Sequence, residues 1–141
     1  MKKTHLSIFL FLIAVMGFYN TAFAASYEDA KASCTYLLQE VANKGWEVEY
    51  YDVDQLDANY HRDYWGTRQA NVNYGATMID PDQSAQVGLY LYDENNVEIA
   101  SDTTSGNTAV ITHTPKWTGK FTYRADRFSG SGYYCYAVVM Q

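Results

Sequence analysis

The sequence predicts a mainly β domain: an antiparallel β-sandwich or jelly-roll-like domain with one N-terminal α-helix. One segment near the start has helical periodicity, and the segments after it are short with alternating apolar residues. Turn-forming residues separate those short segments, a pattern typical of sandwiches and jelly rolls. The 141-residue chain has the size of a single domain with one core.

The first 24 residues have the three regions of a secretory signal peptide. The segment starts with two lysines. An apolar run over residues 6–18 follows, and a small-residue cleavage motif, AFA, comes after it. The run is shorter than the roughly 20 residues of a spanning helix. We therefore expect residues 1–24 to be removed. Residues 25–141 then form one exported domain, periplasmic or extracellular, without stable membrane insertion.

The acidic balance of the remaining chain argues against two classes of partner, nucleic acid and anionic membranes. Two of the 10 basic residues, Lys2 and Lys3, belong to the signal segment, which leaves 8 basic against 16 acidic residues and a formal charge of −8. Phosphate groups are repelled by such a surface, so neither nucleic acid nor an anionic membrane is expected. A basic protein or an uncharged partner remains compatible.

The chain has two cysteines, Cys34 and Cys135, and in an exported protein they predict one disulfide. The alternative is a thiol nucleophile, but His61 and His113 lie in no cysteine-enzyme motif. Closing a loop of about 100 residues stabilises the fold by at most about 4–5 kcal/mol in the chain-entropy model.

Residues 26–43 are predicted to form the helix. Ser26 and Asp29 have the spacing of a capping box, and Gly45 follows as a C-terminal stop. Apolar residues at spacings of three and four give the helix one buried face: Tyr27, Ala30, Cys34, Leu37, Leu38 and Val41. Cys34 lies in the middle of this face, so its sulfur points toward whatever the helix covers.

Alternation predicts the strands. A first strand is expected over Trp46–Tyr51. The pattern of the polar stretch 52–66 is ambiguous, and residues 60–65 within it are interpreted as a loop. The further strands follow at short intervals: Gln69–Ile79, Gln86–Tyr92, Val97–Ser101, Thr108–Thr114, Lys120–Phe128 and Tyr133–Met140. Both faces of the last strand are apolar, as in a strand covered on both sides. The helix is the expected second cover, with Cys34 meeting Cys135 beneath it.

The C-terminal half, from Gln86 onward, resembles the bacterial pre-peptidase C-terminal (PPC) domains. The resemblance rests on the run "LYLYD" at 89–93, on Thr114-Pro115, on Gly119 and on Gly132-Tyr133. It implies a β-sandwich that serves a secreted protein as a non-catalytic accessory module. Some members of this family bind calcium, often near aspartates where this chain has "AQVG" at 85–88. No cofactor is therefore predicted, with calcium as the one metal to consider.

The densest carboxylate cluster contains Asp52, Asp54 and Asp57, which are the metal candidates of the sequence. Calcium requires several converging oxygens, and the segment lacks the glycine of an EF-hand loop. A solvated acidic loop is the preferred interpretation.

Aromatic residues are abundant, with 14 Tyr and 3 Trp. On a sandwich surface they can stack on sugar rings or on a partner's apolar surface, whereas at a core edge they merely keep their hydroxyls in water. The ligand-binding candidates come from the 60–65 segment and the 86–92 strand: Tyr60, Tyr64, Trp65, Tyr90 and Tyr92.

The predicted function is non-enzymatic: binding of an envelope or extracellular protein or polysaccharide. No Gly-x-Ser-x-Gly elbow and no glycine-rich phosphate loop occurs in the sequence, so no enzyme is predicted. The alternative is a periplasmic inhibitor or immunity-type protein whose acidic surface binds a basic toxin or enzyme.

Overall fold

A computed structural model describes residues 24–104 and 106–141; the predicted signal segment, apart from Ala24, lies outside the described residues. One helix is followed by eight strands: α1 (Tyr27–Asn43), β1 (Glu47–Asp57), β2 (His61–Arg68), β3 (Tyr74–Ile79), β4 (Gln86–Tyr92), β5 (Glu98–Asp102), β6 (Thr108–His113), β7 (Gly119–Ser129) and β8 (Ser131–Met140). No helix among the described residues is long and apolar enough to cross a membrane.

The strands form two antiparallel four-stranded sheets with the strand order of a jelly roll. The first sheet has the order β1-β8-β3-β6 and the second β2-β7-β4-β5. Successive strands alternate between the sheets, except for the β4–β5 hairpin. The predicted fold class is confirmed.

The helix begins and ends where the sequence predicts. The Ser26 hydroxyl accepts a hydrogen bond from the Asp29 N–H at 3.2 Å, and the Asp29 carboxylate accepts from the Ser26 N–H at 3.1 Å. This reciprocal pair satisfies two of the unpaired N–H groups at the helix start. At the other end Gly45 has a φ of +82°, a conformation that glycine adopts without a steric penalty.

Strand β8 separates two hydrophobic cores. Tyr134, Tyr136 and Val138 face the second sheet, whereas Cys135 and its alternating neighbours Ala137 and Val139 face α1. The Cys34–Cys135 disulfide joins the helix to this strand, with Cα atoms 5.3 Å apart. The predicted disulfide and the covering of β8 on both faces are confirmed.

The interpretations of residues 52–57 as an acidic loop and of residues 60–65 as a loop are wrong, apart from Tyr60, which lies in the turn between two strands. Residues 52–57 continue β1, and residues 61–68 form β2. The inward-facing polar residues of β1 are satisfied by β2: the Asp54 carboxylate lies 2.8 Å from Nε of Arg62, and the Tyr64 hydroxyl donates to Asp52 at 3.3 Å. The inward-facing positions here carry polar residues that pair across the edge of the sandwich. The alternation of apolar residues that predicts a strand is therefore missing from this stretch.

The predicted start of the third strand is also wrong, because β3 begins at Tyr74 rather than at Gln69. A turn occupies the intervening residues, with Asn71 at a φ of +65° and the Val72 N–H bonded to the Gln69 carbonyl.

Candidate binding surface

Three of the aromatic candidates lie on the outer face of the second sheet. Cross-strand register places Trp65 opposite Thr122, and Thr122 opposite Tyr92. Register neighbours share a face of a sheet, so Trp65 and Tyr92 form one row, two strand spacings or about 10 Å apart. Tyr90 lies two positions before Tyr92 on β4 and therefore points to the same side.

A fourth aromatic residue extends this surface. A Cβ atom at Gly88 would lie 2.8 Å from Cε2 of Phe128, so the Phe128 ring packs directly over the glycine on the outer face. Phe128 is 40% exposed and Trp65 is 70% exposed, while Tyr90 and Tyr92 are partly exposed. We call Trp65, Tyr90, Tyr92 and Phe128 the aromatic face.

Cationic side chains hold two of these rings. The Lys120 ammonium lies 4.7 Å from the centroid of the Trp65 ring, and the Arg124 guanidinium lies 5.3 Å from that of Tyr92. Arg124 also donates two hydrogen bonds to the Asp63 carboxylate, from Nε at 2.9 Å and from Nη2 at 3.2 Å. These hydrogen bonds hold the pKa of Asp63 below its usual value. Side chains fixed in this way lose less entropy when a ligand binds.

The Tyr90 and Tyr92 rings support each other. Their centroids lie 6.4 Å apart with an interplanar angle of 22°. Desolvation, followed by the nearby Asp126 carboxylate, raises the pKa of the Tyr90 hydroxyl above its usual value. Tyr90 is neutral near pH 7, as tyrosines ordinarily are, so it offers a hydrogen-bonding hydroxyl beside an apolar ring.

The structure does not bring Tyr64 and Tyr60 to the aromatic face. The Tyr64 ring points inward and stacks on Tyr136, and its hydroxyl lies 2.6 Å from that of Tyr134. Burial is the main cause that raises the pKa of Tyr64. Tyr60 lies in the β1–β2 turn, 67% exposed, at the end of the sandwich.

The acidic candidates are also dispersed. Asp52 and Asp54 contact Tyr64 and Arg62, and Asp57 is exposed at the end of β1. Over residues 24–104 and 106–141, no group of three or more His, Cys, Asp or Glu side chains is close enough to hold a metal ion.

A cleft of about 420 Å³ opens between the free edges of β1 and β2. Arg68, which is 5% exposed, forms an ion pair with the Glu49 carboxylate at 2.6 Å on one side of this cleft. Its guanidinium lies 5.2 and 5.4 Å from the ring centroids of Tyr74 and Tyr123.

Sequence reasoning missed Phe128 and the cleft. Phe128 continues the outward series Thr122, Arg124, Asp126, so extending the alternation of β7 would have found it. The Glu49–Arg68 pair has no comparable signal, because its partners are 19 residues apart on strands of different sheets.

Comparisons with known proteins agree on the fold. The chain is similar to PliG of Aeromonas hydrophila, a periplasmic inhibitor of g-type lysozyme, with a TM-score of 0.53 and 11% identity over 70% of this chain and 90% of that chain. It is also similar to the pre-peptidase C-terminal domain of a Bacillus anthracis collagenase, with a TM-score of 0.52 and 16% identity over 63% of this chain and 87% of that chain.

Identities this low establish a shared fold alone. The PPC resemblance is thus supported as a resemblance of fold. No protein-family model matches the chain, and no curated protein matches it.

Proposed function

We propose that the protein is an exported, non-enzymatic module that binds a polysaccharide of the cell envelope or its surroundings. The aromatic face is the binding surface, with Trp65 and Tyr92 as its two stacking platforms. The observation that carries the proposal is the row Trp65–Thr122–Tyr92 on the outer side of the second sheet.

The chemistry of the face favours sugar over other ligands. Sugar rings offer apolar faces that stack on aromatic rings and hydroxyl groups that bond to polar neighbours. Trp65 and Tyr92 supply rings about 10 Å apart, a separation that a short oligosaccharide can span. Between and beside them, Thr122, Arg124 and Asp63 supply hydrogen-bonding groups on the same face.

Retention on a panel of insoluble and gel-embedded polysaccharides tests the proposal. Trp65→Ala and Tyr92→Ala should each weaken retention at least tenfold, because each removes one stacking platform. Tyr60→Ala is the matched control, since it removes an equally exposed aromatic side chain that lies off the face. Equal retention of all three variants, or no retention of the unmodified protein on any polymer, would overturn the proposal.

The charge of the protein favours a second candidate, a periplasmic inhibitor of a basic enzyme or toxin. The exported chain carries a formal charge of −8, which would steer a cationic partner toward it. The fold shared with a periplasmic lysozyme inhibitor is compatible with this role. An association rate with a basic partner that falls steeply with added salt would favour inhibition over polysaccharide binding.

A further inference from the structure

The β1–β2 cleft contains buried polar atoms that the fold leaves unused. The Tyr136 hydroxyl and Nε of Arg68 are inaccessible to solvent and have no hydrogen-bond partner among the described residues. The Tyr123 hydroxyl is buried beside them and has the Arg68 guanidinium as a hydrogen-bonding neighbour. A buried polar group without a partner is destabilising, so the Tyr136 hydroxyl and Arg68 Nε require an explanation.

Two of these groups line the cleft itself. Tyr136, which is fully buried on the central strand β8, and Arg68 on β2 form its inner wall. The rings of Tyr50 and Tyr64 lie at the mouth, with the Tyr50 centroid 6.3 Å from that of Tyr136. Because Tyr136 is fully buried, a ligand reaches its hydroxyl only if a side chain at the mouth moves. Tyr50, which is 46% exposed and follows a β-bulge in β1, is the more exposed of the two residues there.

The charges of the cleft select the class of ligand. Glu49 and Arg68 neutralise each other in their ion pair. An anionic ligand would meet the carboxylates of Glu49 and Asp63, and a cationic ligand would meet the buried guanidinium of Arg68. A neutral ligand with several hydroxyl groups avoids both penalties. It can accept from Arg68, donate to Glu49 and exchange a hydrogen bond with Tyr136.

We propose that the β1–β2 cleft binds one neutral sugar unit. The unit stacks on the Tyr50 and Tyr64 rings, and its hydroxyls satisfy Arg68 Nε and the Tyr136 hydroxyl. The volume of about 420 Å³ lies within the range of small-ligand sites. Trp65 lines the cleft and also belongs to the aromatic face, so a polymer whose terminal sugar enters the cleft can continue across that face. This last step rests on the proposed function, whereas sugar binding in the cleft does not.

The experiment measures binding of free monosaccharides to the folded protein by ligand-observed NMR and by thermal shift. The panel contains neutral hexoses and N-acetylhexosamines, with a uronic acid and an amino sugar as charged controls. At least one neutral sugar should bind in the millimolar range and raise Tm, and the two charged controls should bind at least tenfold more weakly.

Tyr136→Phe is the decisive variant, because it removes one hydroxyl and keeps the ring. Without ligand, its Tm should equal or exceed that of the unmodified protein, since an unsatisfied buried group disappears. Its affinity for the neutral sugar should fall at least tenfold. Tyr60→Ala, which removes an exposed ring that belongs neither to the cleft nor to the aromatic face, should bind the free sugar unchanged.

The outcomes separate this proposal from the proposed function. Unchanged sugar affinity in Tyr136→Phe, or no binding of any neutral sugar by the unmodified protein, overturns the cleft proposal, even if polymers are still retained through Trp65 and Tyr92. Binding of free sugar that depends on Tyr136, without retention on any polymer, supports the cleft and contradicts the aromatic face as a polysaccharide surface.

Discussion

The rings of Tyr64 and Tyr136 lie parallel, with centroids 3.8 Å apart and an interplanar angle of 7°, and they join the two sheets where β1 and β2 meet. The next residue, Trp65, points to the opposite side of β2 and is mostly exposed. One strand position therefore separates a ring that packs between the two sheets from a ring on the outer face of the second sheet.

This contrast predicts that substitutions at these two adjacent positions affect different properties, stability at Tyr64 and ligand binding at Trp65. Tyr64→Ala should lower the free energy of unfolding by about 2–4 kcal/mol, because it removes the ring stack with Tyr136 and the hydrogen bonds to Tyr134 and Asp52. Trp65→Ala should change it by less than about 1 kcal/mol while weakening ligand binding. Urea denaturation of both variants measures the difference, and equal losses of stability would contradict the assignment of the two faces.

Removing the disulfide should destabilise the fold without touching the binding surface. The double variant Cys34→Ser, Cys135→Ser should lose at most about 4–5 kcal/mol of unfolding free energy, because the loop it frees spans about 100 residues. Ligand binding below its Tm should persist, since α1 covers the first sheet and the aromatic face lies on the second. Thermal unfolding and a binding assay on the same samples test this. A loss of binding with an unchanged melting curve would refute it.

Asp80 and Arg127 form an ion pair whose side chains are both fully buried. Asp80→Asn should lower the unfolding free energy by about 3–5 kcal/mol, because it leaves the Arg127 charge without a counter-charge. The amide oxygen can still accept the Asp82 N–H that now bonds to Asp80 at 2.8 Å. The double variant Asp80→Asn, Arg127→Met should recover part of the loss in a double-mutant cycle. Strict additivity of the two single losses would show that the pair contributes no coupling.

His113 should make stability depend on pH. Desolvation lowers the pKa of its imidazole from the ordinary value of 6.5, and the ring lies 5.4 Å from that of Phe121. The folded protein thus takes up this proton less readily than the unfolded chain. The contribution of His113 to the free energy of unfolding is therefore present above about pH 6.5 and is lost as the pH falls below it.

The control for this prediction is His113→Phe, which retains an aromatic ring and removes the titration. Chemical denaturation between about pH 7 and pH 5.5 should show a smaller decline for the variant than for the unmodified protein. Parallel declines would show that His113 does not cause the pH dependence.

An element of the fold could be predicted where its signal lies within its own stretch of sequence. The capping pair Ser26 and Asp29 defines the helix start locally, and the two apolar faces of β8 indicate its double cover. Strand β2 was not predictable, because Arg62 and Tyr64 find their partners on β1, in the other sheet. Nothing in the local sequence distinguishes such pairing from a solvated loop.

The candidate site shows the same limit. The aromatic candidates were visible as residue types, but their grouping depends on register. Trp65 and Tyr92 are 27 positions apart and become neighbours in one row only through Thr122 on β7. Tyr64 adjoins Trp65 in the chain but belongs to the interior, because the strand turns alternate side chains to opposite faces.

The most direct test of the aromatic face is amide chemical-shift mapping of the isotope-labelled protein. The ligand is a soluble fragment of a polysaccharide on which the protein is retained. If the aromatic face binds the fragment, the largest shifts fall on the outward residues of β2, β7 and β4, with the Trp65 indole N–H among them and Tyr60 unaffected. Shifts confined to α1 and the helix-facing residues of the first sheet would contradict it.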